Sequence, residues 1–255
     1  MTNDELDRAL RQLRLGGMAD VLTLRAQQVR AENLGPLDFI ALLVHDELQR
    51  RRDRLVERRV KAAGFRDNKT LDTFDFKFNS GIDRALVFEL ANGRFIDQHA
   101  DALILGNAGI GKSHIAQAIG LAAIHAGFRV LYREAHKLFE DLLLANATGE
   151  RATAIATFSE IPLLIIDDLG MRKLPASAAE DLLEIVMRRY ERASTIITSN
   201  RPLDDWPKMF GDTPAVAAFL DRLMHHSHLI EIRGKSYRLH ESSRTSRERK
   251  AQASA

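Results

Sequence analysis

A chain of 255 residues with 45% hydrophobic and 28% charged content has the composition of a soluble globular protein, long enough for one domain and a small companion. The absence of cysteine excludes disulfides, thiol catalysis and Cys-ligated zinc, and fits a reducing compartment such as the cytoplasm. The net charge is only +2, yet the pI is about 9.0 and arginines cluster locally, a balance that permits nucleic-acid binding without requiring it. No apolar run approaches the ~18 residues of a membrane span, and Asn3 to Asp7 is polar and acidic where a leader would be apolar, so neither is expected.

Residues 1 to about 62 read as helical. Asp4 is a candidate cap for a first helix with Leu6, Leu10 and Leu13 on one face. Gly16 and Gly17 break it, a second helix carries Met18, Val21, Leu22 and Val29, and Gly35-Pro36 breaks the chain again. A longer helix follows, with Leu37, Ile40, Val44 and Leu48 at helical spacing and a basic second half: Arg50, Arg51, Arg52, Arg54, Arg58, Arg59 and Lys61. That run is equally a solvated face or a phosphate- or partner-binding surface. Residues 64–70 read as a polar linker. Phe74, Phe76 and Phe78 then alternate as in a strand, which points to core packing, and a helix from about Ile82 to Gly93 follows.

The next stretch organises the chain. Ala102 to Leu105 is a short apolar run that breaks at Gly106, and Gly111, Lys112 and Ser113 complete G-x-x-x-x-G-K-S ahead of a helical pattern at Ile115, Ala116, Ile119 and Ala123. This is the phosphate-binding loop in its proper strand–loop–helix context. Gly106, Asn107, Ala108, Gly109, Ile110, Gly111, Lys112, Ser113 and His114 form the candidate nucleotide cradle, in which backbone N–H groups and a helix N-terminus face the phosphates. Lys112 is expected to reach the β- and γ-phosphates, and the Ser113 hydroxyl to ligate Mg²⁺. Phe76, just upstream, is a candidate adenine contact.

Strands are expected at Phe128 to Tyr132, Ile161 to Ile166, Thr195 to Thr198 and His228 to Ile232. Helices are expected at Ala135 to Ala147, with Leu138, Leu142 and Leu143 on one side, and at Ser177 to Arg192 and Pro214 to His226. With the strand before the loop this makes an α/β domain around a five-stranded parallel sheet. The tail from Ser242 is polar and reads as disordered. The expected divisions are 1–65, 66–241 and 242–255.

The run Leu163-Leu164-Ile165-Ile166-Asp167-Asp168 places two acids at the carboxyl end of a buried strand, where α/β sheets bind ligands. Asp167 is expected to hold Mg²⁺, directly or through water, and Asp168 to polarise a water toward the γ-phosphate. The next strand runs into Ser199-Asn200-Arg201, where the Asn200 amide is placed to orient that water or touch the γ-phosphate.

These three motifs together resemble an AAA+ ATPase of the helicase-loader and replication-initiator group. The segments Leu71–Phe78, Gly106–His114, Ile165–Gly170, Thr195–Pro202, Asp221-Arg222-Leu223 and Glu231–Leu239 resemble the IstB family, ATP-dependent helpers of insertion-sequence transposition, with DnaC-type helicase loaders as near relatives. The resemblance implies an AAA+ core, a small N-terminal all-α domain that meets a partner, and an ATPase whose ATP-bound protomers assemble as a ring or spiral on duplex DNA without reading its sequence. It implies a partner transposase that receives the target DNA, and ATP hydrolysis that disassembles the complex. Arg222 falls where the group carries an arginine that reaches a neighbouring subunit's γ-phosphate, and Arg238 resembles the arginine that contacts phosphate within the same subunit. Two departures stand out: Asp168 where most of the group carries Glu, and no evident C-terminal helical lid after Arg238.

Lys137, Arg172 and Lys173 are candidate phosphate contacts to DNA, without any base-reading motif behind them. His225, His226 and His228 cluster, but no acid or cysteine stands at a ligand spacing nearby, so they read as surface or interface residues rather than a metal site. Two rivals to the transposition reading are a helicase loader acting on single-stranded DNA and a small P-loop metabolite kinase.

Overall fold

The computed structural model describes residues 2–79, 81–211 and 214–240. The expected tail at 242–255 lies outside them. The chain forms two compact units, Met1–Arg59 and Val60–Ala255. No described helix is long and apolar enough to cross a membrane.

In the first unit, α1 (Asn3–Gln12) is capped by Thr2 rather than by Asp4. Glu5 N donates to Thr2 Oγ1 at 3.3 Å and Thr2 N donates to Glu5 Oε2 at 2.8 Å, a reciprocal box that satisfies two N-terminal amides. The helix α2 (Gly16–Glu32) includes both glycines that the sequence suggested as breakers. Close approach is the reason: a Cβ on Gly17 would lie 2.9 Å from Glu47 Cα on α3 (Pro36–Ala63). Glu47 Oε2 accepts from Gly17 N at 2.6 Å, so a nearly buried carboxylate sits on the positive end of α2. Within the basic run, Arg50 pairs with Asp20 at 2.6 Å and Arg51 with Glu47 at 2.7 Å. Two of its charges thus serve this unit's own packing.

The second unit opens with α4 (Arg84–Ala91) and α5 (Arg94–Asp97) and continues as an α/β domain. In chain order come β1 (Asp101–Gly106), α6 (Lys112–His125), β2 (Val130–Glu134), α7 (Ala135–Ala147), α8 (Arg151–Glu160), β3 (Leu163–Leu169), α9 (Ala178–Arg189), β4 (Ser194–Ser199), α10 (Trp206–Phe210), α11 (Pro214–His225) and β5 (Ser227–Ile232). All strand pairs are parallel, in the order β2-β3-β4-β1-β5. The expected five-stranded parallel sheet is therefore present. Its inner strands are buried on both faces, which is why β1 and β3 carry apolar runs, while β4 buries four hydroxyls that are each hydrogen-bonded. Leu103, Leu105, Leu164, Ile166 and Ile197 face a core shared with α7, α8, α9 and α11, while α6 covers the opposite face.

Several elements differ from the sequence expectation, each for a local reason. Residues 71–78 form turns, not a strand, although Phe74, Phe76 and Phe78 still tuck inward between exposed neighbours. Residues 64–70 are no free linker: Phe65 packs against Tyr132, and Asp67 N donates to Gln117 Oε1 at 3.0 Å. The helix α8 was not anticipated. Its amphipathic signal is weak because Ile155 and Phe158 alone are buried. Leu143 of α7 is exposed, not packed.

Candidate active site

Lys112 opens α6 directly after the loop that leaves β1 at Gly106. Gly111 has φ +104°, and a Cβ there would stand 2.5 Å from Phe74 Cε2, so only glycine admits this approach of ring to loop. Lys112 is 4% exposed and its Nζ donates to Asn107 O at 2.9 Å. Burial pushes its pKa down, partly offset by Asp168 and Asp167. An ammonium withdrawn from water beside a glycine-rich loop is an anion receptor.

Around it lies a cavity of about 380 Å³, within the range of nucleotide-sized pockets. Ala108, Gly109, Ile110, Gly111, Lys112, Ser113 and His114 line it, together with Asp168, Asn200 and Arg238. Four stretches far apart in sequence converge here because the carboxyl ends of β1, β3 and β4 open on one crevice. Tyr237 N donates to Gly109 O at 2.9 Å, which folds the segment after β5 over the loop and brings Arg238 in. Gly106 and Asn107 stand outside the lining, Gly106 lying tight against Ile232.

The acid pair divides its roles by geometry. Asp167 has no exposed surface and does not line the cavity. Tyr132 Oη donates to its Oδ2 at 2.6 Å, and Thr198 Oγ1 donates to its Oδ1. Asp168 adopts φ +58°, the left-handed region that Asp tolerates, where the β3–β4 register breaks between Ile166 and Leu169. That kink turns consecutive carboxylates apart and aims Asp168 into the cavity. Burial, then the neighbouring Asp167, raises the Asp168 pKa against the opposing pull of Lys112. The strand thus continues through both acids instead of ending before them.

Asn200 has one amide terminus, Oδ1, buried with no partner among the described residues. An orphaned polar atom beside Lys112 and Asp168 needs a water or a ligand to satisfy it. His114 is fixed by its Nε2 contact to Thr70 O at 2.8 Å and by the edge of Phe74, and burial lowers its pKa.

Phe76 does not line the cavity. It packs on Phe88 and under the Arg84 guanidinium, and the aromatic wall is made by Phe74 and Phe78. Arg222 lies outside the cavity, paired with Asp221 and poised 5.5 Å over the Tyr190 ring. Lys137 pairs with Glu134 at 2.7 Å, and Arg172 and Lys173 line an adjoining cavity that shares Arg66, Asp168 and Arg238 with the first.

Sequence reasoning missed Arg66, which pairs with Glu134 at 3.2 Å and stands 3.8 Å from Asp168. It also missed Tyr132 and Thr198, because their strands, Val130–Glu134 and Ser194–Ser199, are too mixed in composition for one hydroxyl to stand out.

Comparison with known proteins decides the family. A model described as IstB-like ATP binding protein matches residues 8–245. The chain belongs to the IstB-like ATP-binding family. A relative named as an ATP-binding protein of insertion sequence IS21 in Pseudomonas aeruginosa is 36% identical over 93% of this chain and 89% of its own length. One of insertion sequence IS5376 in Geobacillus stearothermophilus is 35% identical over 90% and 91%. Among solved structures, the DnaC helicase loader superposes with a TM-score of 0.56 at 26% identity, over 65% of this chain and 97% of its own. AMPPCP-bound DnaA from Aquifex aeolicus shares the fold at a TM-score of 0.56 and 22% identity, over 66% of this chain and 51% of its own. The IstB-like chain is thus an ATP-binding AAA+ protein of the insertion-sequence type, related to DnaC loaders.

Proposed function

We propose that this IstB-like protein hydrolyses ATP, assembles on duplex DNA in its ATP-bound state, and presents that DNA to a partner transposase. The observation that carries the ATPase reading is the convergence of buried Lys112, cavity-facing Asp168 and the unpartnered Asn200 amide on one pocket. The loop amides and Lys112 bind the triphosphate and position its γ-phosphoryl group for attack. Asp168 accepts the proton of the attacking water, which Asn200 orients. Arg238 neutralises charge from within the subunit, and Phe74 and Phe78 give the base an apolar wall.

Mg²⁺ fits the donors that line the cavity, since the Ser113 hydroxyl and the Asp168 carboxylate are hard oxygen ligands of the kind it selects. When bound, it would neutralise charge between the phosphates, with Ser113 as the direct protein ligand. Asp167, clamped by Tyr132 and Thr198, would help hold the ion through water.

Arg222, exposed and outside its own cavity, supplies positive charge to a neighbouring protomer's phosphate. Membership of an insertion-sequence family supports the transposase as partner. Arg172 and Lys173 contribute phosphate contacts to DNA, and Lys137 does so on exchanging Glu134 for phosphate. These cations meet phosphate and carry no base-reading chemistry, so DNA binding is sequence-independent and strongly salt-dependent.

Two measurements test this reading. Anisotropy of labelled DNA is expected to show tight binding to duplex with ATP-Mg²⁺, and at least tenfold weaker binding with ADP or to single strands. Preference for the single strand would replace the proposal with a helicase-loader function. Asn200→Ala is expected to cut ATP turnover at least tenfold while leaving ATP affinity and melting temperature unchanged or slightly higher, because it deletes an unsatisfied buried group that costs about 1–3 kcal/mol. A variant that hydrolyses ATP at the wild-type rate would remove Asn200 from the mechanism.

A further inference from the structure

A second cluster of chemistry-bearing side chains lies away from the nucleotide cavity, at the junction of α11 with β5. The sequence offered three histidines without an acid. The fold supplies the acid from the connection between α9 and β4. Ligand atoms of Glu191, His225 and His226 all lie within 4.8 Å of one another. Glu191 Oε1 stands 3.6 Å from His226 Nε2, and the His225 and His226 rings are 3.9 Å apart at their centroids. From these observations we infer that Glu191, His225 and His226 form a site for a divalent transition metal of the zinc class.

The donor set selects the ion. Two imidazoles and one carboxylate suit Zn²⁺, and they disfavour Mg²⁺ and Ca²⁺, which take oxygen ligands. Bond lengths of about 2.0–2.1 Å around a tetrahedral ion place neighbouring ligand atoms roughly 3.3–3.4 Å apart. The Glu191–His226 separation is already close to that edge, and all three side chains are exposed, so small rotations close the remaining distance. His99 and His228 line the same surface cavity and are available to complete the coordination.

The surroundings orient the ligands as metal sites require. Tyr190 Oη and His225 Nδ1 are 2.6 Å apart, and the tautomer in which Nδ1–H donates to the phenol oxygen leaves Nε2 for the ion. The Tyr190 ring also stacks on both histidines, at 5.9 and 6.2 Å between centroids. Tyr190 in turn carries the Arg222 guanidinium on its ring, so an ion on His225 would also fix the platform beneath Arg222.

The test uses the full-length protein after chelator treatment, titrated with ZnCl₂ against a chromophoric zinc indicator. Wild type is expected to take up one equivalent per chain in a saturable step. His226→Ala and Glu191→Gln, both at exposed positions and expected to keep the wild-type circular dichroism spectrum, should each weaken that step at least tenfold. His45→Ala, remote in sequence from the cluster, should leave it unchanged. Absence of a saturable step in wild type would overturn the site. So would unchanged affinity in both variants, which would assign the uptake to other histidines and leave Glu191 and His226 as a surface ion pair.

Discussion

Asp168→Asn is expected to lower ATP turnover by roughly 10²- to 10⁴-fold, the usual worth of a positioned general base, while ATP still binds. The substitution suits the backbone, since Asn accepts the left-handed conformation that residue 168 adopts as readily as Asp does. The Asp168 N–H bond to Thr198 Oγ1 at 2.9 Å is independent of the side chain and survives. The variant should therefore keep its fold and retain a nucleotide-induced rise in melting temperature. Its pH profile carries a second signature. Burial and Asp167 raise the Asp168 pKa, and the base works only when ionised, so wild-type turnover should fall on acidification at a higher pH than an ordinary carboxylate would give. The residual activity of Asp168→Asn should lack that limb. Turnover within tenfold of wild type would show that the base is another group.

Lys112→Ala acts one step earlier. In the proposed site the buried ammonium would contribute charge-assisted hydrogen bonds to the phosphates, each worth about 1.5–3 kcal/mol, so ATP affinity should drop about 100-fold and hydrolysis should be undetectable. Stability should not fall in proportion. The native state holds this charge against a desolvation penalty that lowers its pKa, and removing it relieves that penalty while leaving a small cavity beside Asn107. The melting temperature without nucleotide is expected to stay near wild type, and the rise on adding ATP to vanish. Retention of ATP-induced stabilisation would contradict the placement of the triphosphate. Asp168→Asn and Lys112→Ala thus separate catalysis from binding at one cavity.

What was legible in the sequence was what lies in contiguous chain. The loop from Gly106 to Ser113 and the acid pair at Asp167 and Asp168 carry their chemistry in local spacing, and apolar runs bounded by glycine mark buried parallel strands. The rest depends on three-dimensional closure. Alternation identified the phenylalanines, but only the turns of 71–78 decide that Phe74 and Phe78 face the cavity while Phe76 faces Phe88. The order of Asp167 and Asp168 at the strand end suggested separate roles, but only the kink at φ +58° gives them separate surroundings, turning one toward Tyr132 and the other toward the pocket. Arg66 was hidden in a stretch whose composition is that of a linker, and it gains meaning from Glu134 and Asp168 on distant strands. Glu191 was invisible as a neighbour of His226 for the same reason, since 35 residues separate them in the chain.

In the proposed assembly ATP joins protomers through Arg222, and light scattering of the wild type and of Arg222→Ala measures this most directly. Wild type is expected to remain small alone and to form large assemblies only with both ATP-Mg²⁺ and duplex DNA, while Arg222→Ala stays small in the same mixture. A wild-type mass that does not change in any condition, or an Arg222→Ala protein that assembles like wild type, would contradict it.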